Sequence, residues 1–123
     1  MDFKIELVPI SVSDVDAAVQ FYGDKVGWTV DHDQTPMDGL RFVQVTPPGS
    51  ACSFCFGTGL DMLPTGQTQH IQIVVADADA ACDYLRDRDV ECTDVKDLAW
   101  GRFVDFSDPD GNQWTLQQLP DRS

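Results

Sequence analysis

The pattern of apolar and polar positions along this chain runs through one cycle and then repeats it. Val15, Ala18, Val19 and Tyr22 recur at helical spacing and form a single apolar stripe. Ala78, Ala81, Cys82 and Leu85 form the same stripe sixty-three residues later. Around these stripes, apolar runs bounded by turn residues predict strands near 3–11, 28–33, 40–46 and 51–56, and again near 69–76, 90–96, 101–107 and 113–119. Each half therefore reads strand, helix, then three strands. Ser13 with Asp16 matches a capping box for the first helix, and Asp77 is placed to cap the second. Pro47-Pro48-Gly49 and Asp108-Pro109-Asp110-Gly111 predict turns, because proline presets φ and glycine accepts positive φ.

The repeat is literal as well as periodic. Val12-Ser13-Asp14-Val15-Asp16-Ala17-Ala18 returns as Val75-Ala76-Asp77-Ala78-Asp79-Ala80-Ala81, and Phe42-Val43-Gln44-Val45 is echoed by Phe103-Val104-Asp105-Phe106. Two copies of one supersecondary unit are expected. Within a chain of 123 residues they make one domain: a first module over about 1–56, a linker over about 57–67 that carries three glycines and Pro64, and a second module over about 68–123. Like units of this kind pack about a pseudo-twofold axis, so that equivalent positions face one cavity.

Period-two alternation separates two faces on each predicted sheet. Ile71, Ile73 and Val75, with Val43, Val45, Val104, Phe106, Trp114 and Leu116, are expected to pack against the helices. The opposite rows hold Leu7 and Pro9; Phe42 and Gln44; His70, Gln72 and Val74; Phe103 and Asp105; and Gln113, Thr115 and Gln117. Rings and amides with one acid and one histidine suit a ligand cavity, which needs apolar walls and a few orienting polar groups. The competing reading is a solvated outer face, on which Phe42 and Phe103 would be awkward.

The formal net charge of −13 narrows the partners. Such a field repels phosphates and anionic lipid, so neither nucleic acid nor membrane is expected, while a cationic small molecule would be drawn in. The same charge would also serve solubility alone. No apolar run approaches a membrane span, and Met1-Asp2-Phe3-Lys4 lacks the features of a secretion signal, so a cytoplasmic location is expected. Cys52, Cys55, Cys82 and Cys92 are then expected to be reduced. Cys52-Ser53-Phe54-Cys55 has zinc or redox spacing, but residues three apart in a strand point to opposite faces and no second such pair completes a zinc site.

Two Val-x-Asp-x-x-Ala-Ala segments, Phe21-Tyr22, Gly27-Trp28 and the closing Asp108-Pro109-Asp110-Gly111-Asn112 together resemble the vicinal oxygen chelate superfamily. Its members include glyoxalase I, extradiol dioxygenases, and the fosfomycin- and bleomycin-resistance proteins; the bleomycin-resistance branch is the nearest. The resemblance spans essentially the whole chain. It implies an α+β fold of two βαβββ modules forming cupped half-barrels, commonly in a homodimer. In the superfamily's enzymes a divalent metal, held by His, Gln and Glu from four cavity strands, stabilises a developing oxyanion. Carried over position by position, the first ligand falls on Leu7, which has no donor atom. The second falls near Cys55, or on Ser53 if the register slips by two. The third falls on His70, and the fourth on Thr115 in place of Glu.

With one conventional ligand left in four, no metal, cofactor or catalytic residue is assigned. The expected function is sequestration of a small molecule, cationic or neutral, by Phe42, Gln44, Cys55, His70, Gln72, Trp100, Phe103, Asp105 and Thr115. One alternative is a metal-dependent lyase or dioxygenase with a non-standard site. Another is a metal-free enzyme using His70 and Asp105 as acid–base groups. His70 equally suits simple hydrogen bonding to its glutamine neighbours. Trp100, before Gly101 at a strand entrance, is placed either to stack on a ligand or to pack ordinarily. Asp105 is placed to pair with a ligand cation or with Arg41 or Arg102; those arginines occupy equivalent repeat positions, which favours a structural role. His32 reads as exposed, and Trp28 as core or dimer interface.

Overall fold

The computed structural model describes residues 1–63 and 66–120; Pro64 of the predicted linker lies outside the described residues. The chain divides into two compact units, Met1–Thr68 and Gln69–Ser123. Each has a four-stranded sheet and one helical segment, an α+β arrangement.

In the first unit, β1 (Leu7–Pro9), β2 (Thr29–Met37), β3 (Leu40–Thr46) and β4 (Ser53–Thr58) assemble in the order β1-β4-β3-β2. The β1–β4 pair is parallel, with Leu7 beside Ser53 and Pro9 beside Cys55; the remaining pairs are antiparallel. Only Leu7–Pro9 of the predicted 3–11 stretch is strand, extended by one further bond from Ile10 N–H to Cys55 O at 2.8 Å. Helix α1 (Val15–Val19) is capped by Asp14, whose carboxylate accepts from Ala17 N–H at 3.1 Å. This corrects the capping box: Asp14, one residue past Ser13, holds the cap. The helix widens into a π-helical stretch, Gln20–Lys25, closed by Val26 N–H to Phe21 O at 2.8 Å. Tyr22, fully buried, meets Phe54 edge-on at 4.8 Å and stacks on Trp28 at 6.0 Å. Trp28 thus packs within this unit. Removing a ring from such a cluster costs about 3–5 kcal/mol.

In the second unit, β5 (His70–Val74), β6 (Lys96–Leu98), β7 (Gly101–Ser107) and β8 (Gln113–Gln118) take the matching order β5-β8-β7-β6, with β5 and β8 parallel. Helix α2 (Ala78–Asp87) starts at Asp77, which accepts from Ala80 N–H at 3.1 Å. Asp14 and Asp77 are repeat mates, so the two caps are equivalent. Ala78, Cys82 and Leu85 are buried, as the apolar stripe predicts, and α2 packs on β7 and β8. Beneath it lie Val104, Leu116 and the stacked pair Phe106–Trp114 at 6.3 Å.

The sixth strand departs from expectation. Residues 90–95 are not strand, and β6 is three residues long. Thr93 nevertheless follows β7 at one point: its N–H donates to Asp105 O at 2.9 Å, and its Oγ1 accepts from Asp105 N–H at 3.0 Å. A side chain thus replaces one rung of the ladder. No helix among the described residues is long and apolar enough to cross a membrane.

Arg41 and Arg102 share one structural role in the two units. Arg41 binds Asp16 in the first turn of α1 (2.6 Å) and Asp33 on β2 (2.8 Å). Arg102 binds Asp79 in the first turn of α2 (2.7 Å) and Asp97 on β6 (2.6 Å). Each arginine ties a helix start to an edge strand. Asp105 therefore pairs with neither of them.

Candidate functional site

The chemistry collects on the face of the second sheet turned away from α2, and the Asp108–Asn112 turn positions it. Asp108 and Asn112 are both buried. The Asp108 carboxylate accepts from Asp110 N–H (3.0 Å), Asn112 N–H (2.8 Å) and Asn112 Nδ2 (2.8 Å). Asn112 Oδ1 in turn accepts from Gln69 N–H at 2.8 Å, and Gln113 N–H donates to Gln69 O at 2.9 Å. Short polar side chains that bond nearby backbone hold such turns closed. Here the bonds also reach across to the residue before His70 and set the start of β5 against β8. The motif had been legible as a turn; its grip on Gln69 had not.

That register brings His70, Thr115 and Asp105 together. Gln72 lies opposite Thr115 on the parallel pair, and Asp105 opposite Thr115 on the antiparallel one. Thr115 Oγ1 donates to Asp105 Oδ1 at 2.6 Å and lies 2.6 Å from His70 Nε2. A hydroxyl has one proton to give. Since Thr115 gives it to Asp105, His70 Nε2 must be the donor to Thr115. The imidazole proton is thereby fixed on Nε2, and Nδ1 is left as an acceptor when the ring is neutral.

A second chain runs beside the first. Gln72 Nε2 donates to Gln117 Oε1 at 2.6 Å, and Gln117 Nε2 donates to the carbonyl of Trp100 at 3.0 Å. Gln117 is an orienting residue that the candidate set did not contain. Gly101 makes the approach feasible: its φ is +149°, and a Cβ there would meet Gln118 O at 2.7 Å and the Gln117 side chain. Trp100 is 62% exposed, Phe103 is buried and Val74 is exposed. Gln72 Oε1 and His70 Nδ1 have no protein partner among the described residues. The face therefore offers acceptors beside apolar surface.

In the first unit, Phe42 and Gln44 are half-buried on β3, and Cys55 is fully buried on β4. Gln44 pairs with Cys55 across the strands as Asp105 pairs with Thr115, which identifies Cys55, not Ser53, as the repeat mate of Thr115. Ser53 is otherwise engaged: Thr46 donates its hydroxyl proton to Asp31, so Ser53 Oγ, 2.6 Å away, donates to Thr46. His32 is exposed on β2. Cys52 precedes β4 and Cys55 lies within it, so the two thiols are not a pair.

These residues do not make up the superfamily's donor set for a divalent ion. Leu7 has no donor. Burial pushes the Cys55 thiol above its ordinary pKa, which opposes the thiolate a metal needs. The Thr115 hydroxyl is a neutral group already committed on both sides. Among the described residues no three of His, Cys, Asp and Glu are grouped to hold a metal ion.

Comparison with known proteins shows which proteins share this fold. The chain is similar over 97% of its length to 98% of TnmS3, an antibiotic binding protein from Streptomyces sp. CB03234, at 34% identity and a TM-score of 0.82. A glyoxalase/bleomycin resistance protein from the same Streptomyces strain is 35% identical over 94% of this chain and 100% of its own, with a TM-score of 0.77. A member of the superfamily from Sphaerobacter thermophilus DSM 20745 is 30% identical over 94% of this chain and 97% of its own, also at 0.77. No curated protein matches the chain. The family model for the Glyoxalase/Bleomycin resistance protein/Dioxygenase superfamily matches residues 4–116, and the chain belongs to that superfamily.

Proposed function

We propose that this protein binds a small organic molecule and holds it unchanged, without a metal ion. The observation that carries the reading is the Thr115 hydroxyl, which ties His70 to Asp105 at the position where the resemblance implies a carboxylate ligand. Such an arrangement orients a histidine for recognition instead of freeing it for coordination. The acceptors His70 Nδ1 and Gln72 Oε1 suit a ligand bearing N–H or O–H groups, and a net charge of −13 favours a cationic one. Phe103, on the same sheet, and Trp100, directly before β7, complete the proposed contacts. The antibiotic-binding relative supports an antibiotic as the class of ligand. A homodimer acting in the cytoplasm belongs to the same reading; light scattering that finds a monomer at micromolar concentration removes the dimer from it.

The test is a thermal-shift screen in excess chelator against cationic antibiotics, glutathione adducts and catechols, since a ligand of the folded state raises Tm by mass action. A hit recovered chemically intact supports sequestration. A hit that requires added divalent metal, or that is converted, overturns it. Trp100→Ala is expected to weaken a hit about tenfold, roughly 1.4 kcal/mol, without loss of stability.

The uncommitted Nδ1 of His70 also favours a second reading, a metal-free enzyme with His70 as general base. Turnover of any discovered substrate that survives His70→Ala would end it.

A further inference from the structure

Two cysteines that the binding face does not use lie against each other in the second unit. Cys82 Sγ, on the buried side of α2, is 3.7 Å from Cys92 Sγ in the segment that follows the helix. Cys82 Sγ also contacts Thr93 O at 3.7 Å, and Cys92 Sγ lies 4.0 Å from Cys82 O. Cys82 is buried, while Cys92 is partly open to solvent. One sulfur is therefore reachable from outside, and the other waits directly behind it.

We propose that Cys82 and Cys92 are a reversible redox site that closes to a disulfide in exchange with a low-molecular-weight disulfide. The Cys92 thiolate attacks one sulfur of the small disulfide, forming a mixed disulfide and expelling one small thiolate. Cys82 then loses its proton and attacks Cys92 Sγ, expelling the second. Two protein thiols are oxidised to one bridge, and one small disulfide is reduced to two thiols. The Arg86 guanidinium, bonded to Cys92 O at 3.4 Å, favours the attacking thiolate, whereas burial holds the Cys92 thiol above its ordinary pKa. Exchange is accordingly faster as pH rises.

The site is linked to the binding face through the adjoining residue, Thr93. Thr93 follows Cys92 and makes both hydrogen bonds to the Asp105 backbone, at 2.9 and 3.0 Å. Asp105 in turn accepts from Thr115, which accepts from His70. Bridging requires the sulfurs to approach from contact to bond length, about 2.05 Å. That movement pulls on Thr93, the residue beside Cys92, and so displaces the Asp105 acceptor. The inference stands whether or not the ligand reading does.

The experiment is titration of the full chain with oxidised glutathione, followed by intact-mass and peptide mapping and by the ¹⁵N signals of His70. The expected result is loss of two of the four thiols with a Cys82–Cys92 bridge, full reversal by dithiothreitol, and a shift of the His70 signals. Cys92→Ser should abolish both the bridge and the shift. A stable glutathione adduct on Cys92, or no reaction at either residue, would overturn the redox site. A bridge that leaves His70 unmoved would overturn its connection to the binding face.

Discussion

Thr115 stands 2.6 Å from His70 and, by giving its only proton to Asp105, obliges the histidine to donate through Nε2. A residue with no charge thereby decides how a titratable one presents itself. A carboxylate in place of Thr115 would accept from His70 as well, but would also offer a metal a negatively charged oxygen. The threonine keeps the orientation and withholds the charge.

The tautomer is directly measurable. Long-range ¹H–¹⁵N correlation of His70 in the neutral ring is expected to show the proton on Nε2. Thr115→Val should erase that bias and cost about 1–3 kcal/mol of stability, the usual worth of the two hydrogen bonds its hydroxyl makes. A proton on Nδ1 in the unaltered protein would contradict the assigned direction of both bonds.

Adding back the missing charge should move the site toward metal binding. Thr115→Glu would place a carboxylate beside His70 and Asp105, a donor set suited to nickel. Calorimetry is expected to show nickel affinity at least about tenfold above that of the unaltered protein, roughly 1.4 kcal/mol. Equal affinity in the two proteins would mean that the missing charge at Thr115 is not what limits metal binding at this site.

Asn112→Ala tests the turn as a positioning device. It strips buried partners from Asp108 and Gln69 and should cost about 2–3 kcal/mol in urea unfolding. It should also shift the His70 resonances, because Gln69 directly precedes His70. Loss of stability with unchanged His70 signals would leave Asn112 structural only.

The arginine ties predict an acid response. The hydrogen bonds from Arg41 hold Asp33 below the ordinary carboxylate range, with burial opposing; the hydrogen bonds from Arg102 do the same to Asp79. A carboxylate whose pKa is lower folded than unfolded stabilises the fold above the unfolded value, about 4, and that contribution fades as pH falls through the folded value. Both groups are largely exposed, so the effect is modest. Tm of the Arg41→Met, Arg102→Met double variant should fall less steeply than that of the unaltered protein between pH 5 and about pH 3. Parallel curves would show that these pairs add nothing to acid stability.

Much of the fold is legible in the chain because its signals are local. The stripe Ala78, Cys82, Leu85 needs only helical periodicity, and α2 buries those three residues. Alternation placed Val104 and Phe106 on one face of β7 with Phe103 and Asp105 on the other, and the strand is built that way. Local signals fail where a neighbour decides. Ser13 and Asp14 are both capping residues, and only the backbone conformation at Asp14 chooses between them. Residues 90–95 alternate like a strand, yet the Thr93 side chain takes the bond that a strand backbone would have made.

The candidate site divides along the same line. Residue identity showed that Leu7 cannot coordinate and that Thr115 is uncharged, because donor chemistry belongs to the side chain wherever it lies; that a carboxylate belongs at the Thr115 position is what the family resemblance implied. Pairing decided the rest. The order β5-β8-β7 sets His70, Thr115 and Asp105 side by side although up to forty-five positions separate them, and so gives the hydrogen bonds their direction. The 3.7 Å approach of Cys82 to Cys92 is of the same kind. Composition and periodicity specify what each position can do; only the strand register and helix packing specify which groups meet, since contact energies act through space and not along the chain.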